Sequence, residues 1–169
     1  MGFDTARYLR LAAASPVLAR NIVQVAALEG LQVRYLAEHV GREPFASTAR
    51  PGDVLGASAT AVGIAALAGL DADAARTVVD ELPQCDRART LAAVERARTR
   101  GYALDAGAVH PSVFGVAVPV HGVPGLAVGV PLVEVLPAAW REDSRRYQEV
   151  VAALRATVGL LPQASSVTH

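Results

Sequence analysis

The period of the apolar positions changes several times along the chain, and each change marks an element. In residues 4–14 (DTARYLRLAAA) apolar and charged positions interleave as in a short helix, with Asp4 as N-cap and Pro16 just past its end. Residues 20–28 and 32–39, rich in Val, Ile, Leu and Tyr, flank Glu29-Gly30-Leu31 and predict a β-hairpin. A third extended piece is expected over residues 45–50, ahead of a turn at Pro51-Gly52. Residues 59–68 are almost wholly small or aliphatic and read as a helix, with Ser58 as N-cap and Gly69 closing it. Asp71 caps a second helical segment that stops near Leu82-Pro83. In residues 87–100, Leu91, Val94 and Ala97 recur opposite Glu95, Arg96, Arg98, Thr99 and Arg100, and Gly101 is the natural C′ residue. A strand then begins at residues 102–104, and residues 113–121 and 126–130 form a second hairpin across Gly122-Val123-Pro124-Gly125. A last helix starts near Asp143, with Tyr147, Val150, Val151, Leu154 and Val158 at helical spacing. This order, without any fixed-period repeat, predicts an α+β domain built on an antiparallel sheet flanked by helices.

The stretch RPGDVLGASATAVGIAALAGL, residues 50–70, stands apart within this pattern. A turn leads into tiny residues and then an apolar helix, so the first free N–H groups of that helix are unobstructed and could seat a carboxylate or another anion. The same small residues equally serve close helix packing.

A chain of 169 residues is long enough for one domain with a core of its own. Its 16 basic and 16 acidic residues cancel, so no broad field recruits nucleic acid or anionic lipid. All the basic residues are Arg, a compositional bias rather than a binding signal, and the arginines of residues 87–100 read as a solvated face. Cys85 is the single cysteine, which excludes an intrachain disulfide and suits a reducing compartment. The start, MGFDTARYLRL, lacks the apolar core of a signal peptide, and residues 106–133 are interrupted by Pro111, Pro119, Pro124 and Pro131. A soluble cytoplasmic protein without membrane contact is expected.

Familiar catalytic signatures are absent. GASAT around Ser58 departs from G-x-S-x-G at its fifth place. His39, His110, His121 and Cys85 lack metal-ligand spacing, and no phosphate-binding glycine motif opens a helix, so neither a metal nor a cofactor is expected. Asp105 can end a strand or bind a ligand hydroxyl, while His110 and His121 suit either acid–base chemistry or ordinary loop roles.

Three blocks, in this order, resemble the effector-binding domain of IclR-type transcriptional regulators, a family whose sensor is related to the GAF fold. They are AALEGLQVRYLAEHV at residues 26–40, the 50–70 stretch, and TLAAVERARTRGYALD at residues 90–105, with a weaker likeness of VFGVAVPVHGVPGLAVGVPL to the family's closing hairpin. The likeness runs over about residues 19–159. It implies a GAF-like fold, an effector domain over residues 19–161 between an N-terminal helix (1–18, a linker remnant or lid) and a polar tail (162–169), and a homodimer or homotetramer. It also implies a small-molecule pocket at Ser58, Ala59 and Thr60 of the helix start, Asp105, and Gly115, Gly129 and Pro131 of the closing hairpin. Family members often carry polar side chains at the last three places, so glycine there suggests a widened pocket and a larger, aromatic or largely apolar guest. The winged helix-turn-helix that precedes the family's sensor has no counterpart in the residues before the first strand, so no direct DNA contact is expected of this chain.

The leading expectation is therefore an effector-sensing module. The alternative is an IclR-like domain recruited as a biosynthetic enzyme for a bulky metabolite, with Asp105, His110 and His121 as acid–base groups. A ligand-free dimerisation partner for full-length regulators is the third possibility.

Overall fold

The computed structural model describes residues 2–42, 49–134 and 140–161. Helix α1 (Thr5–Ala14) is capped by the Asp4 carboxylate, which accepts from the Arg7 N–H at 2.8 Å. Strands β1 (Val23–Glu29) and β2 (Gln32–His39) form the first hairpin, with Gly30 at φ +60° in its turn. Strand β3 (Val54–Gly56) follows, then a 3-10 turn (Ala57–Ala59) and helices α2 (Ala61–Ala68), α3 (Ala72–Asp80) and α4 (Gln84–Arg100). Strands β4 (Ala103–Ala106), β5 (Val113–Pro119) and β6 (Leu126–Val133) and helix α5 (Arg145–Gly159) follow among the described residues. The six strands make one sheet in the order β3-β2-β1-β6-β5-β4, with every pair antiparallel, as an α+β fold requires.

Alternation along β5 and β6 gives the sheet two unlike faces. Phe114, Val116, Val118, Val128, Val130 and Leu132 point to one side, where Tyr147, Val150, Val151, Leu154 and Val158 of α5 and Tyr8 of α1 complete a core of large side chains. Tyr8 is fully buried and its hydroxyl lies 3.3 Å from Thr157 Oγ1, which pins α1 to α5. The other face is made of small residues. Cross-strand pairs Gly115–Pro131, Ala117–Gly129 and Pro119–Ala127 lie side by side, and β1 and β4 extend the rows through Ala26, Gln24, Ala103 and Asp105.

Helix α2 lies on this small-residue face and is apolar all round, because the sheet covers one side of it and α4 and the 3-10 turn cover others. A Cβ on Gly63 would stand 2.1 Å from the Ala57 carbonyl oxygen, so only glycine lets the helix meet that turn. At the far end, the Arg98 guanidinium of α4 donates to the carbonyls of Leu70 (3.0 Å) and Ala68 (3.3 Å), satisfying acceptors that α2 leaves free.

Several boundaries differ from those read from sequence. The third strand comes after the Pro51-Gly52 turn: Asp53 N–H donates to the Arg50 carbonyl at 2.9 Å, Gly52 takes φ +94°, and the chain reverses to pair Val54–Gly56 with β2. Of the piece expected at residues 45–50, residues 45–48 lie outside the described residues, and Ala49 and Arg50 are not in a strand. The N-cap of α2 is Thr60 and not Ser58, because Ala57–Ala59 close a 3-10 turn and Thr60 is the residue in extended conformation whose Oγ1 accepts from Gly63 N–H at 3.1 Å. Asp105 lies within β4 rather than after it, and α4 begins three residues early, at Gln84. Residues 162–169, read as the tail, also lie outside the described residues.

Replacing Gly63 by Ala should destabilise the protein by about 2–3 kcal/mol, because backbone on both sides must yield. Gly56→Ala, at φ −62° with open space around it, should leave stability unchanged or raise it by less than about 1 kcal/mol. Urea denaturation of the two variants checks the contrast.

Candidate functional site

The rows of the small-residue face end in polar groups. Asp105 is the cross-strand partner of Gly115 and Gln24 that of Gly129, so both side chains flank the place where the first turn of α2 meets the sheet. A cavity of about 30 Å³ remains there, room for a water or two. Its lining combines Gln24, Tyr35, Thr60 and Asp105 with Ala61, Val62, Val109, Val113, Val116, Val130, Gly115, Gly129 and Pro131.

Each polar group is held by local structure. Asp105 Oδ1 accepts from Ala108 N–H at 2.6 Å, so the carboxylate caps the turn that follows β4 while also facing the cavity. Burial raises its carboxyl above the ordinary carboxylate value, and the N–H groups of Ala108, Val109 and Gly107 pull the other way. Burial, reinforced by the charges of Asp105 and Asp53, pushes the Tyr35 phenol up to about 12, so it stays a hydroxyl able to donate. Thr60 Oγ1 accepts from Gly63 N–H and lies 3.4 Å from the Gly56 carbonyl, to which it donates. Gln24 Nε2 donates to the Ala49 carbonyl at 3.1 Å. The N–H groups of Ala61 and Val62, at the start of α2, have no acceptor inside the helix and carry its positive dipole end.

The model of the bacterial transcriptional regulator IclR C-terminal domain matches residues 17–160. The chain belongs to the IclR family of bacterial transcriptional regulators. Solved structures share the fold. A transcriptional regulator from Rhodococcus sp. RHA1 superposes with a TM-score of 0.74 at 21% identity, over 91% of this chain and 63% of its own. The repressor BlcR of Agrobacterium tumefaciens gives 0.74 at 19% identity, over 95% of this chain and 67% of its own. An IclR homologue from Microbacterium hydrocarbonoxydans, solved in complex with 4-hydroxybenzoate, gives 0.67 at 21% identity over 94% and 70% of the two chains. The chain thus spans about two thirds of the length of these regulators. No curated protein matches it.

Of the positions that the IclR resemblance implies, Thr60, Asp105, Gly115, Gly129 and Pro131 line the one cavity. Ser58, half-buried in the 3-10 turn, and Ala59, exposed, do not. The glycines do not widen the site. A Cβ on Gly129 would meet Val62 Cγ1 at 2.8 Å, and one on Gly115 would meet Ala61 Cβ at 3.1 Å, so the space they leave is taken by α2. Sequence reading passed over Gln24 and Tyr35. A polar residue between the valines of VQVAAL, on the same face as Ala26, was the available signal.

The acid–base trio of the enzyme reading is not brought together. His110 is exposed and its Nδ1 accepts from Ser112 N–H at 3.2 Å, a loop-closing role outside the cavity lining. His121 sits in the β5–β6 turn and lines a separate groove with Arg98 and Arg155. Nor do the arginines of α4 form a free stripe, since Arg98 holds α2 and Arg100 pairs with Glu142. No helix among the described residues is long and apolar enough to cross a membrane.

Asp105 has a raised folded value, so its contribution to stability is complete below the ordinary carboxyl range, near pH 4, and is lost as pH rises through that raised value. Asp105→Asn should remove this part of the pH dependence. A series of thermal melts from about pH 3 to 7 should show the wild type losing stability relative to the variant as pH rises.

Proposed function

We propose that the chain is the GAF-like, small-molecule effector-sensing domain of an IclR-type transcriptional regulator, acting in the cytoplasm as a homodimer or homotetramer and making no DNA contact itself. The observation that carries this reading is the convergence of Thr60, the start of α2, Tyr35, Gln24 and Asp105 on one partly apolar cavity. Complex formation of the Microbacterium homologue with 4-hydroxybenzoate lends support, because that molecule presents a carboxylate and a hydroxyl. Here an acceptor such as a carboxylate would face the first N–H groups of α2, and a hydroxyl would face Asp105 or Tyr35. Ala61 and Val62 fill the notches that Gly115 and Gly129 leave, which favours a compact guest over the wide aromatic one expected from glycine walls. Among such guests a compact hydroxy acid asks for the least enlargement of a cavity with room for a water or two.

Calorimetric titration with glycolate, pyruvate, benzoate and 4-hydroxybenzoate tests the proposal. The compact acids should bind, and Thr60→Ala or Asp105→Ala should weaken that binding by about 1–3 kcal/mol if the side chain makes a buried hydrogen bond to the ligand. A folded protein that binds none of the four overturns the reading. Thr60→Ala should also cost about 1 kcal/mol of stability through the lost cap, whatever binds.

A further inference from the structure

Val62 lies where a side chain on β6 would otherwise project. A Cβ on Gly129 would be 2.8 Å from Val62 Cγ1, 3.0 Å from the Val116 carbonyl oxygen and 3.2 Å from Ala117 Cβ, so one valine methyl plugs a notch whose other walls are backbone and β5. Val62 also lines the cavity, and it is 4% exposed. Its position is rigidly set. Gly63, the next residue, presses on the Ala57 carbonyl, and Arg98 clasps the other end of the same helix, so α2 cannot withdraw from the sheet without breaking packing at one end or hydrogen bonds at the other.

Resting on the sensor reading above, we infer that Val62 is the size-selecting residue of this effector site: it restricts the cavity to compact acids and excludes ring-sized ones. Polar groups orient the ligand, while the valine methyls decide how large a body can sit beside them. A missing methylene in an apolar pocket changes discrimination by about 10–200-fold, so the methyl that fills the Gly129 notch is enough to shift the preference between a two-carbon acid and an aromatic one.

The test is calorimetric titration of the wild type, Val62→Ala and Val62→Ala/Gly129→Ala with glycolate and with 4-hydroxybenzoate. Val62→Ala should raise the ratio of 4-hydroxybenzoate affinity to glycolate affinity by at least about tenfold. The double variant returns a methyl to the vacated notch and should lose the gain. If Val62→Ala does not fold, as judged by its thermal melt, Val62→Cys carries the same comparison with the same sign. Equal affinity of wild type and variant for 4-hydroxybenzoate, or an equal gain for both acids, overturns the size filter and leaves the sensor reading intact. A gain that survives in the double variant also overturns it. Binding of neither acid to any of the folded proteins overturns both the filter and the sensor reading.

Discussion

The contact of helix α2 with the small-residue face of the sheet is the constraint on which the rest of the molecule depends. Gly115, Ala117, Gly129 and Ala127 present almost no side chain to that helix, and Gly63 removes the one Cβ that would hold it off the Ala57 turn. Backbones therefore approach closely, and dispersion contacts accumulate over a helix with seven buried residues in succession. Such packing leaves little tolerance for added atoms, which makes glycine a requirement of fit here rather than a source of flexibility. The opposite face follows the other solution, in which large branched and aromatic residues interlock with α5 and α1.

The candidate site is a by-product of the same contact. It lies where the first turn of α2 ends and the rows of small residues give way to Asp105 and Gln24 at their flanks. Its polar groups serve the fold and face the cavity at once: Thr60 caps the helix, Asp105 caps a turn, and Gln24 ties β1 to the Ala49 carbonyl. Sharing of this kind couples any ligand to the framework, because a hydrogen bond offered to a guest is offered by a group that also holds a helix start or a loop. The raised carboxyl of Asp105 shows the electrostatic cost of keeping such a group at a partly apolar wall.

Arg98 and Arg100 show how charge is used in a chain of zero net charge. Both lie on the wet side of α4, yet one closes the carbonyl end of α2 and the other pairs with Glu142 and donates to the Tyr102 carbonyl at 2.9 Å. Arginine suits this work because its fork of donors reaches two carbonyls while its stem lies along apolar surface. A pattern that resembles a nucleic-acid stripe in one dimension becomes internal fastening in three.

Local chemistry alone determined much of this fold. The hairpin turn at Gly30, the caps of Asp4 and Asp71, the left-handed Gly101 at the end of α4 and the buried face of α5 all depend on residues near in sequence, so periodicity and capping located them. The order of motifs likewise pointed to the IclR family and to Ser58, Ala59, Thr60, Asp105, Gly115, Gly129 and Pro131, of which the last five line the cavity. Only the tertiary structure decided what those glycines do. Whether a missing side chain leaves room for a ligand or for a neighbouring helix depends on what stands opposite, and α2 (Ala61–Ala68) is far in sequence from β5 (Val113–Pro119) and β6 (Leu126–Val133). The same distance hid Gln24 and Tyr35, which join the site through strand register, and moved the helix cap from Ser58 to Thr60, where a 3-10 turn re-aims the backbone. Sequence determined which residues could approach closely; three-dimensional packing decided that helix α2 takes the space between them.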